Sequence, residues 1–213
     1  MKQHAFILGF LCILVQFAHS QEASQFPFNE FQISTNRTDV ANENTENRYG
    51  FGFGVYHTFM SQKVINVIAG LEYNRTSQFK KQVYESHVAN STDVTYNINF
   101  ASIPVGLRVN LGSDTKIFIE TGGFADLIAR GNRTGTMHTY RTNGNNEFNK
   151  TTIEFDEKAQ LANSVGIYFG LGIRIPIKGL ELILKPDYKL ELTKLESDMR
   201  DTYFRLNVGI NIN

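Results

Sequence analysis

The sequence has one cysteine, four prolines and no tryptophan, and its 21 basic side chains are cancelled by 21 acidic ones. A single thiol excludes a disulfide scaffold. An even charge balance excludes a nucleic-acid binder that relies on a basic surface. Few prolines beside 17 glycines and 17 phenylalanines point to extended strands rather than a helical bundle. Beyond residue 20 no stretch approaches the roughly 18 consecutive apolar residues of a transmembrane helix. If the chain sits in a membrane, it does so as a closed barrel, since helices and closed barrels alone satisfy every backbone polar group in lipid. With 213 residues, the chain suits one domain or one barrel of moderate size.

The apolar run at the start is of a different kind. Lys2 supplies a short positive segment, Ala5 to Val15 is almost unbroken apolar sequence, and Ala18-His19-Ser20 offers small residues where a signal peptidase reads. Residues 1–20 are therefore expected to be a secretory signal, too short to span a bilayer. Cys12 lies inside this leader, and Gly9-Phe10-Leu11 before it form no lipoprotein box. The mature domain, residues 21–213, keeps His57, His87 and His138 and no cysteine.

What the mature chain has in abundance is alternation. Val165, Ile167, Phe169, Leu171, Ile173, Ile175 and Ile177 oppose Gly166, Tyr168, Gly170, Gly172, Arg174 and Pro176. A period of two is the signature of a strand. Leu180, Leu182, Leu184, Pro186, Tyr188, Leu190 and Leu192 oppose Glu181, Lys185, Asp187, Lys189 and Glu191. Phe204, Leu206, Val208, Ile210 and Ile212 oppose Arg205, Asn207, Gly209 and Asn211. Ile103 to Leu111, Phe51 to Phe59 and Ile65 to Tyr73 repeat the pattern, and Lys116 to Arg130 follows it more weakly. Phe28 to Thr35 has only Phe31 and Ile33 in phase; it is taken as a strand because single-chain bacterial barrels have even strand numbers. The apolar phase is even over Tyr96, Ile98 and Phe100 but odd from Ile103, so a bulge is expected around Ala101 to Pro104. A second bulge is expected at Pro186, which removes a ladder donor.

Links between these strands alternate in length. Asn36–Tyr49, Arg75–Val94 and Gly131–Ala162 are long and Leu195–Asp201 is intermediate, whereas Met60–Lys63, Gly112–Thr115 and Lys178–Gly179 are short. Short turns at one end and long loops at the other match an outer-membrane barrel. The expected fold class is all-β, an eight-stranded antiparallel transmembrane up-and-down barrel. Within the longest link, Thr136–Tyr140 and Thr151–Phe155 alternate around Asn143-Gly144-Asn145-Asn146. They are expected either to extend the fifth and sixth strands as a hairpin above the membrane or to form a polar loop.

The segments Ser102-Ile103-Pro104-Val105-Gly106-Leu107-Arg108, Lys116 to Gly123 and Gly166 to Gly172 resemble the core of the small outer-membrane β-barrel family of Bacteroidota. That family is often labelled PorT-like and is similar in architecture to OmpX and OmpA barrels. The resemblance covers most of the mature chain. It implies an integral outer-membrane protein, with outer-membrane lipid and the barrel-insertion machinery as partners. Members usually end in an aromatic residue, whereas this chain ends Ile212-Asn213.

One face of the strands collects Glu72, Arg108, Glu120, Asp126, Arg130, Arg174, Lys185, Asp187, Lys189 and Arg205. These are expected to form a paired charge network filling the lumen, with an ion-conducting or switchable plug as the competing reading. Gly50-Phe51-Gly52-Phe53-Gly54 lacks the βαβ setting of a phosphate loop, and its glycines are expected to face the lumen. No pair of histidines has metal-ligand spacing. A membrane-embedded acyltransferase or phospholipase would need Ser, His and an acid together at one rim, for which Ser61, His57 and Asp114 are the candidates; no catalytic role, cofactor or metal is expected. The sequons at Asn36, Asn74, Asn90, Asn132 and Asn149 are read as chance in Asn- and Thr-rich sequence. The function expected is structural or binding, through long outer loops and an unidentified extracellular partner. The alternatives are a soluble lipocalin-like barrel holding an apolar ligand, or a narrow channel.

Overall fold

The computed structural model describes residues 28–38, 45–60, 63–86, 88–112, 115–142, 148–177, 179–193 and 202–212. The leader 1–20, Ser61, His87, Asp114, Asn143–Asn146 and Asn213 lie outside the described residues. The alternating segments form ten strands: β1 (Glu30–Thr38), β2 (Thr45–Asn47), β3 (Tyr49–Phe59), β4 (Ile65–Ser86), β5 (Ala89–Leu111), β6 (Lys116–Thr142), β7 (Phe148–Lys158), β8 (Ser164–Ile177), β9 (Leu180–Glu191) and β10 (Tyr203–Ile212). Eight of them close an antiparallel barrel in the order β1-β3-β4-β5-β6-β8-β9-β10, with β10 returning to β1. β2 adds to β4 and β7 to β6. The strand over Phe28–Thr35 is real but sits slightly later, as β1.

The barrel is inside-out relative to a water-soluble domain. Arg108, Lys185, Lys189, Arg205, Glu30 and Glu120 are at most 2% exposed, while Ile33, Phe53, Leu107 and Phe169 are 51–68% exposed. Strand alternation alone produces this, since successive side chains point to opposite faces of the wall. At Gly179 (φ 89°) and Gly112 (φ 102°) the short turns require the left-handed region that glycine enters without strain.

Large rings cross the interior because glycine stands opposite them. A Cβ at Gly70 would strike the Tyr56 ring, one at Gly172 the Phe118 ring, one at Gly166 the Phe124 ring, and one at Gly106 the Tyr168 hydroxyl. Overpacking of this kind costs about 1–3 kcal/mol or more. Gly172→Val is therefore expected to lower the unfolding midpoint in a denaturant titration. Restoring it with Phe118→Leu in the same chain would show that ring contact is the cause.

Several expectations are corrected. No register slip occurs between Ala101 and Pro104: β5 pairs with β6 without interruption from Phe100↔Ile128 to Leu111↔Ile117. Tyr96, Ile98 and Phe100 are buried on the same face as Ser102 and Arg108. It is the interior that changes character along the strand. Val94, Tyr96, Ile98, Phe100, Ala159 and Tyr203 form an apolar cluster at the end away from the short turns, beyond the charges. Pro186 makes no bulge either. β8 and β9 pair up to Gly170↔Asp187 and resume at Ile173↔Leu184 in the same register, so the missing donor opens the ladder locally without shifting it. Pro104 does the same between Ala69↔Val105 and Glu72↔Ser102.

Two of the long links are largely strand, whereas the intermediate one, Leu195–Asp201, lies outside the described residues. β4 continues to Ser86 and β5 begins at Ala89, so Arg75–Val94 is mostly a hairpin. β6 runs 27 residues to Thr142. The returning strand β7 pairs with β6 over Asn132↔Lys158 to Thr142↔Phe148 and does not extend β8. Ala159 turns inward instead, its amide donating to the Gly131 carbonyl at 2.9 Å, and Leu161 packs on the apolar cluster. A sheet β2-β4-β5-β6-β7 thus stands above the barrel on one side.

Candidate functional site

Nine of the ten charged residues expected in the lumen lie there. Glu72, Arg108, Glu120, Asp126, Arg174, Lys185, Asp187, Lys189 and Arg205 are all buried. Arg130 is not: it is exposed, and its Nε donates to Asn132 Oδ1 at 3.2 Å. The register between β5 and β6 steps from Phe100↔Ile128 to Asn99↔Arg130, so Ala129 is an extra residue on β6. A bulge of this kind reverses the facing of the residues beyond it, and Arg130 turns outward.

The buried charges form two groups joined by one lysine. In the first, the Arg108 guanidinium donates to both oxygens of Glu30 at 2.6 and 2.9 Å and to Glu120 Oε2 from Nε at 2.8 Å. Arg174 donates to Glu30 Oε2 at 3.1 Å and to Glu181 Oε2 at 3.4 Å. Gln32 donates to Glu30 as well. In the second, Arg205 donates to Glu72 at 2.7 and 3.2 Å and to Asp187 at 2.8 and 2.8 Å. Lys189 donates to Glu72 Oε2 at 2.7 Å and to Ser102 Oγ at 2.9 Å, and the Tyr56 hydroxyl donates to Glu72 at 2.7 Å. Lys185 bridges the groups, 3.0 Å from Glu120 and 3.6 Å from Asp187. Bidentate guanidinium–carboxylate pairs of this type are among the strongest hydrogen bonds available to side chains.

Aromatic faces complete the packing. Phe118 lies under Arg108 at 4.5 Å and under Arg174 at 5.6 Å, and Lys189 sits 4.6 Å from the Phe124 centroid. Cation–π contact of this geometry is favoured where water is excluded. Asp126 stands level with Ser102 and Ser164, and its Oδ1 has no hydrogen-bond partner among the described residues.

Glu30 was missed in the sequence, although it ties β1 to β5 and β8 across the bore. Its signal was there: Glu30 holds the phase opposite Phe31 and Ile33, the same rule that located Arg108. Glu181 and Glu191 share the face of Lys185 in the alternation and are buried with it.

The other candidates do not assemble. His57 is half-buried with its ring 4.4 Å from Phe59, on the outward face. His138 lies on β6 between Thr92 Oγ1 and Thr152 Oγ1, 3.1 Å from each. Among the described residues no three His, Cys, Asp or Glu side chains are grouped to hold a metal. Phe51 and Phe53 face outward and Gly52 and Gly54 inward, so the glycine stretch is wall and not a phosphate loop. Asn36 and Asn74, two of the sequon residues, are buried in the interior.

No family model matches the chain, and no curated protein sequence matches it. Among solved structures the chain is similar to Ail, the attachment invasion locus protein of Yersinia pestis. The identity is 12%, the match covers 87% of this chain and 98% of that one, and the TM-score is 0.44. It is similar to Neisserial surface protein A at 10% identity, over 86% and 95% of the two chains, with a TM-score of 0.44. A major outer membrane protein from Thermus thermophilus is 9% identical over 86% and 98%, with a TM-score of 0.46.

Proposed function

We propose that this chain is an integral outer-membrane protein of the PorT-like kind, exported by residues 1–20. Its role is non-catalytic: it binds an extracellular partner through the sheet that stands above the barrel. The observation that carries the membrane reading is the inverted wall, with charges buried and a belt of large apolar side chains exposed on every barrel strand. The belt runs from Ile65 to Tyr73 on β4 and from Val165 to Ile177 on β8, close to the roughly 9–11 residues a tilted strand needs to cross a bilayer. A lipocalin-like carrier would need the opposite arrangement, an apolar bore, and here the bore holds ion pairs. A conducting pore is disfavoured by the same packing, since the apolar cluster around Tyr96, Phe100 and Tyr203 closes the outer end.

Binding by the sheet is supported by β7. Among the described residues it pairs with β6 alone, which leaves its other edge open for strand addition. The expected result is that the mature chain, residues 21–213, stays folded only in detergent or lipid. Folding as a monomer in plain buffer would overturn the membrane reading. Protease added to intact cells should cleave within residues 143–147, which join β6 to β7, and leave the turn at residues 112–115 uncut. Cleavage at that turn in sealed cells would reverse the orientation.

A further inference from the structure

We propose that Arg75, Asn99 and Arg130 form an outward-facing binding site for the phosphate groups of lipid in the outer leaflet, with Arg37 as a further contact. The proposal rests on the membrane reading above. Across five adjacent strands, Ile33, Phe53, Tyr73, Ala101 and Leu127 stand side by side in register on the outer face of the wall. The next outward row is Thr35, Phe51, Arg75, Asn99 and Arg130. Over β4, β5 and β6 the wall therefore passes from apolar to cationic in a single step, with no carboxylate in either row.

The donors stand in one row on adjacent strands. Arg75 and Arg130 flank the strand that carries Asn99, so their backbones are about 10 Å apart, two strand spacings. The Tyr73 hydroxyl donates to Asn99 Oδ1 at 2.8 Å, which leaves the amide nitrogen as the donor of that side chain, on the strand between the two arginines. The Arg75 guanidinium has no hydrogen bond or ion pair among the described residues, and that of Arg130 bonds only to Asn132. Arg37 lies one outward position beyond Thr35, with its guanidinium 5.8 Å from the Tyr49 ring. Planar guanidiniums suit phosphate oxygens because they donate two parallel hydrogen bonds.

Two further observations point to lipid rather than to a soluble anion. Arg130 faces outward only because of the bulge at Ala129; regular alternation would have buried it beside Ile128. Bulges that re-aim a side chain are recurrent at functional positions. A shallow apolar groove also runs along the same wall below Arg37, lined by Phe31, Ile33, Phe53, Val55, Val208 and Ile210, and it offers a place for an acyl chain.

The test uses the mature barrel reconstituted in phosphatidylcholine bilayers containing graded fractions of lipid A or of dephosphorylated lipid A. The readout is lipid retained on the protein by native mass spectrometry. The wild-type chain should retain lipid A in preference to the dephosphorylated form. R75Q and R130Q, which keep a polar side chain but lose the charge, should each weaken retention about tenfold, with insertion into phosphatidylcholine unchanged. Equal retention of both lipid forms, or retention unaffected in the R75Q/R130Q double variant, would overturn the proposal while leaving the membrane reading standing. A wild-type chain that enters none of these bilayers would overturn both.

Discussion

Glu72→Gln is expected to cost about 3–5 kcal/mol of unfolding free energy, the range for removing one partner from a buried ion pair. Glu72 accepts from Arg205, Lys189, Tyr56 and Asn74, and it is 3% exposed. Neutralising it leaves two cations facing each other with Asp187 as the remaining carboxylate on Arg205. Denaturant titration in one detergent, followed by far-ultraviolet circular dichroism because the chain has no tryptophan to report, measures the loss. A second change identifies its cause. Lys189 loses its carboxylate when Glu72 is neutralised, and its nitrogen lies on the Phe124 face, where a thioether also packs well. Adding Lys189→Met should therefore recover part of the stability lost in Glu72→Gln. If the double variant is less stable than the single by the full cost of a second lesion, the charges are not coupled as the distances imply.

Leu107→Arg should destabilise the barrel by about 2–4 kcal/mol, as a cation on the lipid face at mid-depth does. Leu107 is 51% exposed and sits between Val67 and Thr121 in the ladders, well inside the apolar belt. The same substitution at Phe51, in the row that already holds Arg75, should cost about 0–1 kcal/mol, because the penalty falls toward the interface. Unfolding titrations of both variants in lipid vesicles provide the comparison. Equal tolerance of arginine at Leu107 and Ile173 would mean that the wall faces are assigned the wrong way round.

Strand number, facing and most of the lumen charges were legible in the sequence because one physical rule governs them all. A wall one residue thick has two faces, and a period of two sorts side chains between them. The rule fails where its premise does. Apolar side chains at Tyr96, Ile98 and Phe100 suggested an outward face because apolar was equated with lipid, yet the outer end of the bore is itself apolar. Arg130 was misplaced because a single extra residue, Ala129, leaves no mark in composition while it reverses every facing beyond it. The long links looked like loops because Thr, Asn and Lys dominate them. In β4, β5 and β6 above the belt both faces meet either water or one another, so alternation carries little hydrophobic contrast. Glu30 shows the opposite failure: its phase was visible, but a strand with two apolar residues gave it little weight.

The projecting sheet also bears on crowding. β6 runs from the short turn at residues 112–115 through the barrel wall into the projecting sheet, and β7, antiparallel to it, runs back toward the barrel. Neighbouring copies in one membrane all carry β7 pointing the same way. Two such edges cannot zip together antiparallel unless one molecule is upside down, which a shared bilayer forbids, and parallel pairing is the weaker arrangement. An open edge is ordinarily an invitation to aggregate. Here the common orientation imposed by the membrane withholds that invitation from siblings, and the open edge of β7 suits a strand that runs the opposite way.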